Sequence, residues 1–177
     1  DAVAGPIEPH LEAAVAAGLF AAPIGDGEDS VEFRHHLIRD AIELQISAGT
    51  RAELHEAAAV ALAAAPEPSW ARIAHHRLAV ADHDPDAALD ACRRAAAEAF
   101  GQFVYREAAE HRAAEADLLV RFGRGDEPEM LDATIDRGEA LHLAGDPEGG
   151  PLLLAAADQA DAAGDTDRAG RALLCLC

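Results

Sequence analysis

The sequence predicts an all-α fold in which antiparallel helical hairpins stack into a superhelix, and three observations carry that reading. Hydrophobic residues make up 50% of the 177 positions but aromatics only 4%, so the apolar content is mostly Ala, the best helix former and a poor strand former. From Thr50 onward the apolar residues recur at helical spacing. Helix breakers punctuate that stretch at intervals of roughly 16 to 23 residues, the length of one helix and a turn, which suits helical-hairpin repeats of about 34 to 45 residues. A compact helical bundle would show the same periodicity; the evenness of the breaks favours the array.

The first fifty residues read differently. Leu11 to Ala17 has the pattern of a short helix closed by Gly18, which takes the left-handed cap conformation at little cost. Leu19-Phe20-Ala21 and Val31-Glu32-Phe33 flank a polar turn around Gly25-Asp26-Gly27, the pattern of a small β-hairpin. A helix over Leu37 to Ile46 follows. Helix, hairpin and helix is the order that closes a winged-helix domain. Residues 1–50 are therefore expected to be the C-terminal part of such a domain, and residues 51–177 a truncated, tetratricopeptide-like helical repeat array.

Within the array, Thr50 and Glu53 have capping-box spacing, and Leu54, Ala57, Ala58, Ala61, Leu62 and Ala65 then share one face up to the stop at Pro66 and Pro68. Ser69 opens a helix toward Val80, residues 82–85 break it, and Asp86 starts another that runs to about Phe100. Val104, Ala108, His111, Leu118 and Phe122 form the next stripe, ending at Gly123. Leu131, Thr134, Ile135, Gly138 and Leu141 form another after Pro128, and Leu153, Ala156, Ala157 and Ala160 one more before Gly164. The Ala and Gly in these stripes let helices approach closely. Arg168 to Cys177 is helical in pattern without a stop signal, so the chain is expected to be a piece of a longer protein.

Charge excludes one class of partner. There are 33 acidic residues against 14 basic ones, all of them Arg, for a formal net charge of -19. The clustered cations that grip a phosphate backbone are missing, so the chain is expected to repel nucleic acid. No run of about 18 uncharged apolar residues exists, and no basic region leads into an apolar stretch at the N-terminus. Neither a membrane span nor a signal peptide is supported, and a cytoplasmic location is expected. Cys92 lies in a helical stretch, while Cys175 and Cys177 would point apart on a helix, so buried free thiols are expected rather than a disulfide or metal site.

Among the nine histidines, His35-His36 and His75-His76 invite a metal reading. Adjacent helical residues diverge by about 100°, whereas metal-binding helices place ligands at i and i+4. Neither pair has such a partner, so no metal site is expected. The acidic residues scatter over helix faces without pairing an acid with a base. Phosphate loops, dinucleotide fingerprints, nucleophile elbows and zinc-protease motifs are all missing, so no catalytic residue and no enzymatic activity are expected.

Phe33-Arg34-His35-His36-Leu37-Ile38-Arg39-Asp40-Ala41 runs from the hairpin's second strand straight into a helix. Thr50-Arg51-Ala52-Glu53-Leu54-His55, Ala71-Arg72-Ile73-Ala74-His75-His76, Asp86-Ala87-Ala88-Leu89 and Tyr105-Arg106-Glu107-Ala108-Ala109 follow it in order. In these segments the chain resembles the large LuxR-type, ATP-binding transcriptional regulators of the STAND class. The likeness covers nearly the whole chain and is strongest over Leu11 to Leu119.

The resemblance implies that Phe33, Arg34, Leu37 and Arg39 form a wing–helix junction, and that His35 stands where related proteins sense the phosphates of bound ADP. Arg34 and His36 occupy the flanking positions that are Met and Asp in those proteins. It also implies an upstream phosphate loop and a downstream DNA-binding helix-turn-helix, so that ATP or ADP and DNA would be bound by the parent protein alone. No cofactor, direct nucleic-acid contact or membrane partner is then expected of this segment. Its expected part is to bind a protein or small effector in the groove of the array and to relay that event to the nucleotide switch. A stand-alone tetratricopeptide-like interaction scaffold is the main alternative, and a small metal-binding helical protein a further one.

Overall fold

The structure, a computed structural model, describes residues 8–20, 33–126 and 128–176. Among the described residues there are nine α-helices and no extended strand, and the fold is all-α as expected. The chain divides into two compact units, Asp1–Arg51 and Ala52–Cys177.

The first unit holds α1 (Glu8–Ala16), α2 (His36–Gln45) and the start of α3 (Ala48–Ala63). Gly18, at φ +74°, closes α1, its N–H donating to the Val15 carbonyl at 2.9 Å while that of Leu19 reaches Ala14 at 2.9 Å. Among the described residues the expected hairpin is represented by a single antiparallel bridge between Phe20 and Phe33. Ala21, Val31 and Glu32 of its two runs, and its Gly25–Gly27 turn, lie outside the described residues. The cap of α3 differs from the expected Thr50. Ser47 Oγ accepts the Thr50 N–H at 3.1 Å, so Ser47 is the capping residue and Thr50 already lies three positions inside the helix.

The second unit continues with α4 (Trp70–Ala79), α5 (Pro85–Gly101), α6 (Tyr105–Arg121), α7 (Pro128–Leu143), α8 (Gly149–Ala162) and α9 (Thr166–Leu174). From α4 to α9 each helix packs on its neighbour in sequence, and α7 also meets α9. Short connections make those neighbours antiparallel. Apolar burial is accordingly divided among three clusters. Ile73, Leu89, Cys92, Leu118 and Leu119 anchor the one formed by α4, α5 and α6. Ala99, Ala108, Ala109, Ala140 and Leu141 join α5, α6 and α7. Leu131, Ile135, Leu153, Ala160 and Ala172 join α7, α8 and α9. This serial arrangement is what stacked hairpins produce, since each pair buries its stripe only against the next.

Several termini correct the sequence reading. α5 begins at Pro85 rather than Asp86, with Asp84 Oδ1 accepting the Ala87 N–H at 3.0 Å; Pro costs nothing at the first helical position, where no donor is needed. Ser69 makes no side-chain cap on α4. Glu98 of α5 supplies it instead, accepting the Trp70 N–H at 3.0 Å, a tertiary cap with no local signal. The inward stripe of α3 is also displaced. Leu54, Ala57 and Ala61 are exposed, whereas Ala59 is buried and Ala52, His55, Glu56 and Leu62 are half-buried.

α7 and α8 approach closely. A Cβ at Gly138 would come within 2.8 Å of the Leu153 side chain, and one at Gly149 within 2.7 Å of the His142 Cα. Glycine is required at Gly149 because the obstacle is backbone, which cannot rotate away.

Candidate functional site

A concavity lies where α5, α6 and α7 meet. Ala96, Ala97, Phe100 and Gly101 of α5, Ala108 and Arg112 of α6, and Asp136 and Glu139 of α7 line a cavity of about 310 Å³. The small residues make the space: three alanines and a glycine stand where larger side chains would fill the gap.

An alternating ladder of charges fixes the polar side. Glu115 is only 1% exposed, yet it receives Arg93 Nε at 2.5 Å and Arg112 Nη1 at 2.7 Å. Arg112 Nη2 also reaches Asp136 at 2.6 Å. Asp136 in turn takes Arg171 at 2.7 Å, and Arg171 and Arg168 converge on Asp132 at 3.2 and 2.7 Å. The ladder thus runs from α5 through α6 and α7 to α9, holding the Arg112 fork against the cleft by its two carboxylates.

The ladder shifts its members' acidities in both directions. Burial pushes the Asp136 carboxyl above its usual range, outweighing the pull of Arg112 and Arg171. The hydrogen bond from Arg168 holds Asp132 below that range despite some burial. The Cys92 thiol is pushed up to about 11, first by burial and then by Glu115, so it is an inert packing group. For Arg93, burial pulls down, but Glu115 and Glu129 together raise it. Arg93 Nη2 lies 3.2 Å from Glu129, an ion-pair distance, although it is not aligned there as a hydrogen bond.

An unusual backbone stands beside the cavity. Phe103, at φ +63°, is the one described non-glycine residue in the left-handed region. Its N–H donates to Phe100 at 3.0 Å and that of Val104 to Ala99 at 2.9 Å. This is the helix-ending pattern in which α6, α7 and α8 use Gly123, Gly145 and Gly164. A side chain there costs about 1–2 kcal/mol, and the Phe103 ring remains 76% exposed. Tyr105 links it to the cavity, edge-on to Phe103 at 6.1 Å and to Phe100 at 5.3 Å. The chain therefore presents an exposed aromatic on a strained turn, next to a cleft with an acidic edge. No sequence motif marks this; the signal was the absence of Gly after α5, where the following three helices have one.

The junction residues occupy the other unit. Phe33 packs against Phe20 with tilted rings, centroids 4.6 Å apart, and the Arg34 N–H donates to the Leu19 carbonyl at 3.0 Å. Arg39 pairs with Asp40 at 3.0 Å. His35 is exposed just before α2, its carbonyl accepting the Ile38 N–H at 3.0 Å, and Leu37 is 69% exposed. His36 opens α2.

The second histidine pair is not alone. His55 of α3 meets His76 with Nδ1 atoms 2.9 Å apart, and His75 stands beside both rings. The His76 imidazole has its pKa lowered, first by burial and then by His55, His75 and Arg72. A reading confined to one helix misses this trio, because its third ring lies 21 residues away on another helix.

No helix among the described residues is long and apolar enough to cross a membrane. Comparison with protein-family models, with curated proteins and with solved structures finds no match to this chain.

Proposed function

We propose that the chain is a recognition array, without catalytic activity of its own, acting as the sensor and coupling region of an ATP-dependent transcriptional regulator of the LuxR-like STAND class. The exposed Phe103 ring, kept on a backbone that would be relaxed by Gly, carries the recognition half of this reading. Strain that a fold retains at an exposed aromatic has a use other than stability. The occupant is a protein segment or small effector that offers an apolar group to Phe103, Tyr105 and Phe100 and a cation to Glu139. The residue pattern over 33–41 supports the regulator half, with ATP or ADP and DNA handled by other parts of the parent protein. The junction around His35 would relay effector binding as a shift between closed and open states.

Selection of displayed peptides on the full chain tests recognition. Enriched peptides carry an aromatic or aliphatic residue near an Arg or Lys, and lose binding to Phe103→Gly and to Ala97→Trp, which fills the cleft. Phe103→Gly keeps or raises stability, since the strain relieved (about 1–2 kcal/mol) exceeds the added freedom of the unfolded chain (about 0.4–1 kcal/mol). Enriched peptides indifferent to both changes would remove the cleft from the reading. For the coupling half, the chain joined to the parent's ATPase segment should retain ADP less well with His35→Ala; equal retention would discard the junction as a relay.

A further inference from the structure

We propose that His55, His75 and His76 form a three-imidazole site for a divalent late-transition-metal ion, with Zn2+ as the first candidate. The site shares no residue with the cleft. One ring nitrogen from each residue can be chosen so that all three lie within 4.8 Å of one another. Ring centroids are 5.1 Å apart for His55 and His76, 5.2 Å for His75 and His76, and 6.1 Å for His55 and His75. The three rings thus stand in a nearly equilateral triangle. His55, arriving from α3, spans the arc that two adjacent residues of α4 cannot close by themselves.

Tetrahedral Zn2+ holds imidazole nitrogens at about 2.0–2.1 Å, which places them roughly 3.3 Å from one another. The 2.9 Å separation of the His55 and His76 Nδ1 atoms falls just inside that spacing, and with the trio's ligand atoms within 4.8 Å of one another the exposed His75 ring would have to close in by up to about 1.5 Å. Without an ion, one of those two Nδ1 atoms must carry a proton and donate to the other. An ion would replace that single hydrogen bond with bonds to both. Around the trio, Glu56 is committed to Arg77 at 2.6 Å, so the donor set is all imidazole, which suits Zn2+, Cu2+ or Ni2+ rather than Mg2+ or Ca2+. His75 is exposed, leaving room for water as a fourth ligand. A bound ion would tie α3 to α4 beside the Glu56–Arg77 pair.

The test uses the full, metal-free chain, titrated calorimetrically with Zn2+ and followed with Co2+ by its visible absorption. One ion per chain, with the spectrum of four-coordinate Co2+, supports the site. Loss of a ligand in His75→Ala or His55→Gln should weaken binding beyond the roughly 10–100-fold typical of losing an outer-shell partner. His75 is exposed, so its removal leaves the helical circular dichroism unchanged and separates ligation from folding. His142→Ala, on an exposed position of α7, should bind as the parent does. No saturable binding, or binding that survives both His75→Ala and His55→Gln, would overturn the proposal, as would equal loss in His142→Ala.

Discussion

Arg93 on α5 and Glu115 on α6 form the innermost ion pair of the array, Nε to Oε1 at 2.5 Å, and Arg112 supplies the second cation to the same carboxylate. Glu115 is the one buried charged residue among those described. A carboxylate taken out of water in this way is tolerated only because two guanidinium groups replace its hydration. Its place between Cys92 and the cleft makes it the pivot from which Arg112 is aimed toward Asp136.

Glu115→Gln therefore destabilises the protein by about 3 kcal/mol, the lower end for breaking a buried pair because Arg93 and Arg112 keep some solvent access. Urea unfolding measures it. A loss below about 1 kcal/mol would mean that the pair behaves as a surface bridge. Glu115→Leu should cost as much or more, since it removes the same two charge-assisted bonds and leaves Arg112 only Asp136 and Arg93 only Glu129.

The contact of α7 with α8 makes a second expectation, on thermal unfolding. Gly149→Ala should lower stability by about 1–3 kcal/mol, because its Cβ is driven into the α7 backbone and the helices must separate. Gly170→Ala, in α9 with nothing near its Cβ, should instead raise it by up to about 1 kcal/mol through helix propensity. Equal effects of the two would show that α7 and α8 are less closely seated than the structure has them.

The ladder between α7 and α9 should weaken in acid. Asp132 has its acidity strengthened by Arg168, so the folded state binds its proton less readily than the unfolded chain does. That contribution is complete above the unfolded value of about 3.9 and is lost as pH falls toward the depressed folded value. Asp136 is shifted the opposite way, and its protonation relieves a burial penalty over the range above about 3.9. Stability measured from pH 6 downward should thus fall more steeply below pH 4 than in Asp132→Asn. Superimposable profiles would deny Asp132 the role.

The helical class, the number of breaks after Thr50 and most of the buried stripes were legible in the sequence, because periodicity and capping are local properties of the chain. Leu131, Ile135, Gly138 and Leu141 are buried as their spacing requires, and so are Leu153, Ala156, Ala157 and Ala160. On α3 the same reasoning chose a stripe only half of which turns inward: Ala58, Leu62 and Ala65 are half-buried, while Leu54, Ala57 and Ala61 are exposed. Alanine is too weakly apolar to dominate the choice, and His55 and Glu56 face inward because partners on α4 await them.

What the sequence determined by itself was a succession of helices and the breaks between them, since each helix is specified by residues within a few positions of one another. What only the tertiary structure decided was which side chains from separate helices meet: Glu98 as the cap of α4, Glu115 between two arginines, the histidine trio, and the cleft beside Phe103. Those relationships depend on the distances between helices, and no spacing along one strand of sequence encodes them.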